Sequence, residues 1–274
     1  MVRQIAALLK DVQHKKPLVH HITNYVTVND CANVTLAIGA SPIMADEVAE
    51  VAQITSISAS LVLNMGTLNQ RTVKSMIAAG KEANSQGIPV IFDPVGAGAS
   101  NLRNQTAKMI LKEIKCSVIR GNISEIRYLA GENAKTKGVD ASESDLSDDI
   151  TESIEVAKSL AKKYNCVVAI TGATDIISDG IQTISINNGH QMLGSVTGTG
   201  CMCTSLIASF SGATSNYLLA AAAGILTISI AGEIAFDRAG KAGLGSYHMA
   251  IIDEISKLSD ETICRRATLN ETYH

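Results

Sequence analysis

Short, continuously apolar runs alternate along this chain with longer stretches that have helical spacing. The apolar runs cover residues 61–64, 89–93, 116–120 and 166–171. Unbroken apolar runs of this length are typical of parallel strands that are covered on both faces. The stretches 70–84 and 101–115 have apolar residues at three- and four-residue steps, which predicts helices between the strands. This alternation predicts an α/β fold with a central, mostly parallel sheet flanked by helices.

The second half of the chain has a different pattern. Two apolar runs within 175–187 are separated by Asp179-Gly180, which predicts a β-hairpin. The tail from 200 to 258 is mostly helical in pattern and punctuated by glycines. The polar stretch 138–149 is predicted to be a solvated loop that leads into a helix over 149–164. Since no stretch has the composition of a linker, a single domain over residues 1–274 is expected.

Charge and composition count against several classes of function. The net charge is −3 and no dense run of Lys and Arg occurs, which disfavours nucleic-acid binding. The most apolar segment, 217–231, is short for a membrane span and is interpreted as a buried helix, and the N-terminal residues lack the pattern of a signal peptide. The six cysteines are scattered without a Cys-x-x-Cys motif, as expected of free thiols. We therefore expect a soluble cytoplasmic protein.

Polar side chains occur at the ends of several predicted strands. Asp93 and Arg120 close two of them, Thr171 closes a third, and Glu125 lies one helical turn beyond Arg120. Because ligands of open parallel sheets bind beyond the carboxyl ends of the strands, these groups should share one edge. Two carboxylates suit Mg²⁺, and a guanidinium with a hydroxyl suits phosphate oxygens. Any one of them alone could have a structural role, as a turn residue or as part of a helix cap.

A glycine-rich segment at 194–201 opens a predicted long helix. Glycines allow successive backbone N–H groups to turn toward one point, and a helix N-terminus adds a positive dipole, so the segment is a candidate anion site. The alternative is a loop whose glycines serve only close packing. The phosphate-binding motif Gly-x-x-x-x-Gly-Lys-[Ser/Thr] is absent, and no Gly-x-Gly-x-x-Gly follows a strand.

The sequence Thr197-Gly198-Thr199-Gly200-Cys201 resembles the anion-binding loop of ribokinase-like kinases, where a Gly-x-Gly-Asp pattern is usual. A cysteine in place of that Asp points to the hydroxyethylthiazole kinase family in particular. Further segments similar to that family follow one another along the chain, at 17–24, 39–45, 63–68, 93–98 and 120–125. The resemblance thus runs from about residue 17 to about residue 205.

The resemblance implies a ribokinase-like fold and phosphoryl transfer from ATP, with Mg²⁺, to the alcohol of 4-methyl-5-(2-hydroxyethyl)thiazole in thiamine biosynthesis or salvage. It also implies roles for particular residues. Substrate-binding positions correspond to Met44, Gly198, Asn24 and Val26. ATP-binding positions correspond to Arg120 and Thr171, and the Mg²⁺ region to Asp93 and Glu125. Cys201 occupies the place of the catalytic base, beside the backbone amides of Gly198 and Gly200.

Assembly is a further implication. Sugar kinases of this superfamily carry a small β lid, and no extra set of alternating strands before residue 90 could build one. The resemblance suggests a cyclic homotrimer in which a neighbouring subunit covers the substrate. The segments around Asn24 and Met44 would then come from one chain and the loop 198–201 from the next. A monomer or dimer with a self-contained site is the alternative.

Other functions remain open at the level of sequence. A hydroxymethylpyrimidine or other vitamin-precursor kinase is one, although Cys201 in place of Asp argues against it. A Cys201-dependent hydrolase or transferase, with His190 or His248 as the base, is another. A nucleotide-binding regulator without turnover is a third. His20 and His21 could serve a metal or act as a base, but a structural role is favoured because no third ligand has useful spacing.

Overall fold

The computed structural model describes residues 1–131 and 150–273. Its strands form one nine-stranded sheet of order β2-β1-β3-β4-β5-β6-β7-β8-β9. The strands are β1 Leu18–Ile22, β2 Ser41–Met44, β3 Ser60–Asn64, β4 Val90–Asp93, β5 Val118–Gly121, β6 Val167–Ile170, β7 Asp175–Ser178, β8 Gln182–Ile186 and β9 Leu269–Tyr273. Strands β1 to β6 are parallel to one another, and β7, β8 and β9 continue the sheet in antiparallel fashion.

Helices cover both faces of this sheet. They are α1 Val2–Lys15, α2 Val28–Ala37, α3 Val51–Ser56, α4 Gln70–Gln86, α5 Asn101–Glu113, α6 Ile123–Ala130, α7 Ile150–Tyr164, α8 Thr199–Ser211, α9 Tyr217–Ala239, α10 Leu244–Ser256 and α11 Asp260–Arg266. The predicted α/β class and the mostly parallel sheet flanked by helices are confirmed.

The apolar residues of each strand are divided between two cores. Val62 of β3 belongs to the core under α1, α8, α9 and α10, whereas its neighbours Leu61 and Leu63 belong to the core under α4 to α7. This division follows from the alternation of side chains along a strand. A strand that is buried on both faces is apolar at most positions, which explains why these strands were visible as continuous apolar runs.

Helix α9 is the centre of the larger core. The helix and the turn that follows it, Tyr217–Ala242, are long and apolar enough to cross a membrane, but 83% of the most apolar stretch is buried inside the protein. A Cβ on Gly224 would lie 2.6 Å from the backbone nitrogen of Ile207 in α8, so only glycine permits this close approach of α9 to α8. Helix α9 is thus a core helix, as the sequence predicted.

The four predicted strands, the hairpin and the helical tail all lie where they were expected. Strands β1, β2 and β9 were not predicted. In β1, His20 and His21 interrupt the apolar run, and β2 contains Pro42, which a sequence reading does not place in a strand interior. Both β1 and β2 join the main sheet, so the described strands before residue 90 form no separate lid.

The polar stretch 138–149 lies outside the described residues. The prediction that residues 1–274 form one domain remains a prediction, and it is supported by a single sheet whose strands extend from residue 18 to residue 273.

Candidate active site

The carboxyl ends of the parallel strands meet the N-terminus of α8. Asn64 and Asp93 end β3 and β4 in register, and the Asn64 side-chain amide donates to Asp93 Oδ2 at 2.8 Å. The hydroxyl of Thr204, one turn into α8, donates to the same carboxylate oxygen at 2.8 Å. Asp93 therefore links the sheet edge, where the predicted site residues lie, to helix α8, which the glycine-rich segment opens.

Asp93 and Arg120 form a buried charge pair at this edge. The Asp93 side chain is fully buried, and its Oδ1 lies 3.8 Å from Arg120 Nη1. Burial raises the pKa of Asp93, and the Arg120 guanidinium and the hydrogen bonds from Thr204 and Asn64 oppose that rise. Asp93 Oδ1 has no hydrogen-bond partner within the described part of the chain. A buried carboxylate oxygen without a partner is costly, so this atom is suited to a ligand.

Arg120 connects the pair to the end of β6. Its Nη2 donates to Thr171 Oγ1 at 2.5 Å. Its guanidinium also lies against the first turn of α8, where a Cβ on Gly200 would be 2.6 Å from Arg120 Nη1. The two predicted ATP-binding residues are thus adjacent, and Arg120 borders the glycine-rich segment.

Glu125 is held by a helix cap. The Asn122 side chain accepts from the Glu125 backbone N–H at 2.9 Å, and Glu125 Oε2 accepts from the Asn122 backbone N–H at 2.9 Å. Glu125 Oε1 accepts from the Gly96 backbone N–H at 2.8 Å. Burial, with the nearby Asp93 carboxylate, raises the pKa of Glu125 to about 7, although both backbone donors lower it. Glu125 therefore has a structural role in this cap, and its role in the Mg²⁺ region stays a prediction.

Cys201 lies in the first turn of α8 and is surrounded by amide donors. Its sulfur accepts hydrogen bonds from Asn24 Nδ2 and from Asn64 Nδ2, each at 3.3 Å. Burial, followed by the Asp93 carboxylate, raises the pKa of the Cys201 thiol above its ordinary value. The thiol therefore keeps its proton at neutral pH, which is the opposite of what a low-pKa nucleophile requires.

The start of α8 has the geometry of an anion site. Gly198 precedes the helix with φ 89°, and no side chain caps the first turn. A Cβ on Gly198 would also lie 2.5 Å from Thr27 Cγ2, so glycine is required here for both conformation and space. The uncapped amides and the helix dipole are available to an anion beside Arg120.

The histidines do not join this site. His20 is buried, with Nδ1 at 2.9 Å from Thr55 Oγ1 and Nε2 at 2.8 Å from the Ala45 carbonyl oxygen. His21 is buried between the Val19 carbonyl and Ser205, and burial lowers its pKa to about 3. Both have the structural role that the sequence favoured.

The two histidines considered as bases for Cys201 have other contacts. The His190 ring stacks on Phe236 with centroids 3.6 Å apart, and His248 Nε2 lies 3.0 Å from Asp30 Oδ1. These contacts and the raised pKa of Cys201 count against a Cys201-dependent hydrolase.

Met44 and Val26 are placed differently from Asn24. Asn24 is 4% exposed, whereas Val26 is 56% exposed and Met44 is partly exposed at the end of the edge strand β2. Because Asn24 contacts Cys201 of its own chain, the prediction that these two come from different chains is wrong. Of the four predicted substrate residues, Asn24 is buried in a single chain, whereas Val26 is exposed and Met44 and Gly198 are partly exposed.

Three residues at this edge were not predicted. Asn64 ends its strand as Asp93 does, so the same signal could have revealed it. Thr204 lies four residues after Gly200, so the two residues share one face of α8, and Thr204 contacts the strand end at Asp93. Asp175 begins β7 and accepts from the Gly172 N–H at 3.0 Å, and burial raises its pKa to about 7. It supports the turn after Thr171.

Comparison with known proteins decides the family. The family model for the hydroxyethylthiazole kinase family matches residues 9–261. The chain belongs to the hydroxyethylthiazole kinase family. A hydroxyethylthiazole kinase of Ruminiclostridium cellulolyticum is 61% identical over 269 residues, which cover 98% of each chain. The family resemblance carried by the loop 197–201 and its companion segments is thereby confirmed.

Solved structures agree with this membership. The hydroxyethylthiazole kinase structure from Pyrococcus horikoshii OT3 has a TM-score of 0.89 and 35% identity, covering 98% of this chain and 99% of the other. A ribokinase-like superfamily protein from Enterococcus faecalis V583 has a TM-score of 0.61 and 11% identity, covering 92% of this chain and 89% of the other. The latter likeness shows the fold, and the predicted ribokinase-like fold of the hydroxyethylthiazole kinase family is confirmed.

Proposed function

We propose that this protein transfers the γ-phosphoryl group of ATP to the hydroxyl of 4-methyl-5-(2-hydroxyethyl)thiazole, as the name of its family indicates. The observation that carries the proposal is the convergence of Arg120, Asp93 and Cys201 on the uncapped first turn of α8. Phosphoryl transfer needs little covalent chemistry from the protein and depends on positioning and charge stabilisation. An amide-lined helix terminus beside a guanidinium supplies both.

The ATP side of the site consists of Arg120 and Thr171. The guanidinium can bind phosphate oxygens directly, and the Thr171 hydroxyl already holds it at 2.5 Å. The first turn of α8 has no side-chain cap, so its amides would be free to meet the charge that develops on the equatorial oxygens with fixed dipoles. In this proposal, Arg120 orients the donor and the helix terminus stabilises the transferred group.

Asp93 and Glu125 are the residues that would hold Mg²⁺. Asp93 Oδ1 is a buried oxygen without a hydrogen-bond partner in the described part of the chain, and the Glu125 oxygens accept one backbone N–H each among those residues. No cluster of three His, Cys, Asp or Glu suited to a metal occurs among residues 1–131 and 150–273. Two carboxylates fit Mg²⁺, which retains several waters and takes few protein ligands. When bound, Mg²⁺ would neutralise charge between the phosphates.

In this proposal, Cys201 orients the accepting alcohol. In a loose transition state the attacking oxygen is barely bonded, so its proton leaves late and a strong base matters less than position. The raised pKa of the thiol fits this description, since a protonated sulfur is a weak base. Cys201, with Asn24 and Asn64 behind it, would fix the hydroxyl against the start of α8.

The thiazole ring would lie against Met44 and Val26, with Gly198 on its other side. A small, mostly apolar alcohol needs an apolar pocket with few polar groups. Both side chains are left exposed by a single chain. We therefore propose a homotrimer in which active sites lie at subunit interfaces and a neighbouring copy covers the ring.

Exposed apolar residues near the edge strand β2 support this assembly. They are Tyr25, Val26, Leu36, Val48 and Ile57. Large apolar side chains that a single chain leaves exposed, and an unpaired strand edge, are expected to be covered in the native assembly. Sedimentation should give the mass of three chains, and a stable monomer would contradict the proposal.

Subunit mixing tests the shared site. A Met44→Ala variant and a Gly198→Ala variant, each inactive alone, are mixed under conditions that exchange subunits. If Met44 and Gly198 of one site come from different chains, random assortment restores roughly a quarter of the sites. Two Gly198→Ala preparations serve as the matched control. Demonstrated exchange without recovered activity would show that each site is self-contained.

The cellular location follows from the reaction. A soluble kinase that uses ATP and salvages a thiamine precursor belongs in the cytoplasm, and we propose that location.

A substrate panel tests the specificity. The thiazole alcohol should have the highest kcat/KM, above hydroxymethylpyrimidine and pyridoxal. A preference for hydroxymethylpyrimidine would favour the alternative vitamin-precursor kinase, and nucleotide binding without turnover would favour a regulator.

A further inference from the structure

One guanidinium outside the active site binds carbonyls from two loops that build it. Arg103 is the third residue of α5 and is partly buried. Its Nη1 donates to the Met65 and Val95 carbonyl oxygens, and its Nη2 donates to the Gly66 carbonyl oxygen, each at 2.5 Å. Met65 and Gly66 follow β3, whereas Val95 follows β4. Arg103 therefore ties two neighbouring strand ends together.

The same peptides hold two active-site side chains. The peptide that presents the Met65 carbonyl to Arg103 has the Gly66 N–H at its other end, which donates to Asn64 Oδ1 at 2.8 Å. The peptide that presents the Val95 carbonyl has the Gly96 N–H at its other end, which donates to Glu125 Oε1 at 2.8 Å. Since a peptide unit is planar, fixing the carbonyl fixes the direction of the N–H.

Asn64 and Glu125 each act at a part of the proposed reaction site. Asn64 donates to both Cys201 Sγ and Asp93 Oδ2, and Glu125 is one of the two carboxylates proposed for the metal. A rotation of either peptide would withdraw the N–H from its side chain. Arg103 is thus connected through one peptide to the alcohol side of the site and through another to the phosphate side.

We propose that Arg103 is a positioning residue for phosphoryl transfer, which orients Asn64 and Glu125 through the Met65–Gly66 and Val95–Gly96 peptides. This inference rests on the proposed kinase function. The surroundings of Arg103 fit its role, because a Cβ on Gly96 would lie 3.1 Å from Arg103 Cδ. Any side chain at Gly96, which has φ 72°, would be strained and would crowd the guanidinium stem.

A guanidinium suits this position better than an ammonium. Three carbonyls on two loops require donors in a fixed planar arrangement, which Arg provides and Lys does not. An ammonium group at the same place can reach some of these oxygens but cannot hold all of them in one plane. The effect of Arg103→Lys should therefore lie between those of the native residue and Arg103→Met, which keeps an apolar stem without any donor.

The test compares steady-state kinetics of the full chain with ATP, Mg²⁺ and the thiazole alcohol. We expect kcat of Arg103→Met to fall roughly 100-fold, the loss typical of about a 1 Å displacement of reacting groups. The KM of the alcohol should stay near the native value, because Met44, Val26 and Gly198 are not moved. Arg103→Lys should recover part of kcat, and methylguanidine should raise kcat of Arg103→Ala.

Lys108→Met is the matched control, since Lys108 is an exposed cation on the same helix, α5. It should leave kcat and KM unchanged. Native kcat in Arg103→Met overturns the inference, and so does a loss of kcat that is accompanied by an equal rise in KM. If Arg103→Met does not fold, Arg103→Lys decides in the same way. Inactivity of the native chain and of Lys108→Met toward the alcohol would instead refute the proposed function.

Discussion

The side-chain amide of Asn64 donates to the sulfur of Cys201 at 3.3 Å. A second amide, from Asn24, donates to the same sulfur at the same distance, 3.3 Å. Cys201 thus lies in a pocket of hydrogen-bond donors, although the thiol is a weak acceptor. Such a pocket is better suited to a carboxylate, which accepts amide hydrogen bonds strongly.

Replacement of the Cys201 thiol by a carboxylate should therefore be tolerated. We predict that Cys201→Asp is at least as active as the native enzyme, because a carboxylate accepts the alcohol proton better than a thiol whose pKa is raised by burial. Cys201→Ala should be slower but clearly active, since positioning and the helix amides remain. Initial rates at saturating ATP and thiazole alcohol measure both variants.

Two outcomes would contradict this account of Cys201. The first is complete inactivity of a correctly folded Cys201→Asp variant. The second is complete inactivity of Cys201→Ala together with a covalent thiol adduct in the native enzyme, detected by intact-protein mass spectrometry. The second outcome would support the alternative hypothesis that Cys201 is a nucleophile.

Glu125→Gln tests the metal site. An amide has no charge with which to hold Mg²⁺, so we predict loss of most of kcat with only a modest change in the KM of the alcohol. The cap is also affected, because Gln can present only one oxygen to the Gly96 and Asn122 N–H groups that now bind two. Thermal unfolding is measured alongside turnover so that the two effects are separated. Unchanged turnover at saturating Mg²⁺ would refute the assignment.

Gly200→Ala tests the contact between α8 and Arg120. The added Cβ would lie 2.6 Å from Arg120 Nη1, so the guanidinium must move away from the helix terminus. We predict a higher KM for ATP and a lower kcat. Gly245→Ala on α10 is the control, because its Cβ would meet nothing within 4 Å. That change should leave the kinetics unaltered and stabilise the helix by up to about 1 kcal/mol. Equal kinetics in the two variants would contradict the prediction.

The sequence allowed most of the fold to be predicted, for a physical reason. Strands β3 to β6 are buried on both faces, so their apolar character is continuous and visible. Strand β2 lies at the sheet edge with partly exposed residues and a proline, so it has no such signal. Among the described strands, β9 pairs with β8 alone, which begins more than 80 residues earlier, and such a long-range pairing leaves no local pattern.

The candidate site was predictable to a similar extent. Asp93, Arg120 and Thr171 stand at strand ends, where topology alone brings them together. Two contacts depend on how the loops fold back toward the sheet, and the spacing of residues along the chain does not predict them. They are the contact of Asn24 with Cys201 and the hydrogen bonds from Arg103 to the loop carbonyls. The prediction that divided Asn24 and Cys201 between chains failed for that reason.

The contribution of one buried histidine to stability should fall on acidification, whereas the raised pKa values of Glu125 and Asp175 act in the opposite direction. Burial lowers the pKa of His21 to about 3, from an ordinary value of 6.5. Below pH 6.5 the unfolded state takes up a proton that the folded state refuses, so the stability present above pH 6.5 is lost as the pH falls toward 3. The expected slope is about 1.4 kcal/mol per pH unit for this one group.

The His21 slope is the difference between the native chain and His21→Gln in urea unfolding between pH 6.5 and pH 5, because the carboxyl contributions are common to both. His21→Gln should unfold more easily at pH 7, and its free energy of unfolding should decrease less, relative to the native chain, as the pH falls. His14→Gln, on the exposed face of α1, is the control, because that ring meets solvent in both states. Identical slopes for the native chain and His21→Gln would contradict the prediction.

The central claim is that this chain transfers phosphate from ATP to the thiazole alcohol. The most direct measurement incubates the native chain with γ-labelled ATP, Mg²⁺ and 4-methyl-5-(2-hydroxyethyl)thiazole, and separates the products by chromatography. The account predicts that the label appears on the thiazole alcohol as a phosphate monoester, in an amount equal to the ADP formed, and that Gly200→Ala slows its appearance. Label found only in inorganic phosphate, or no release of ADP, would contradict it.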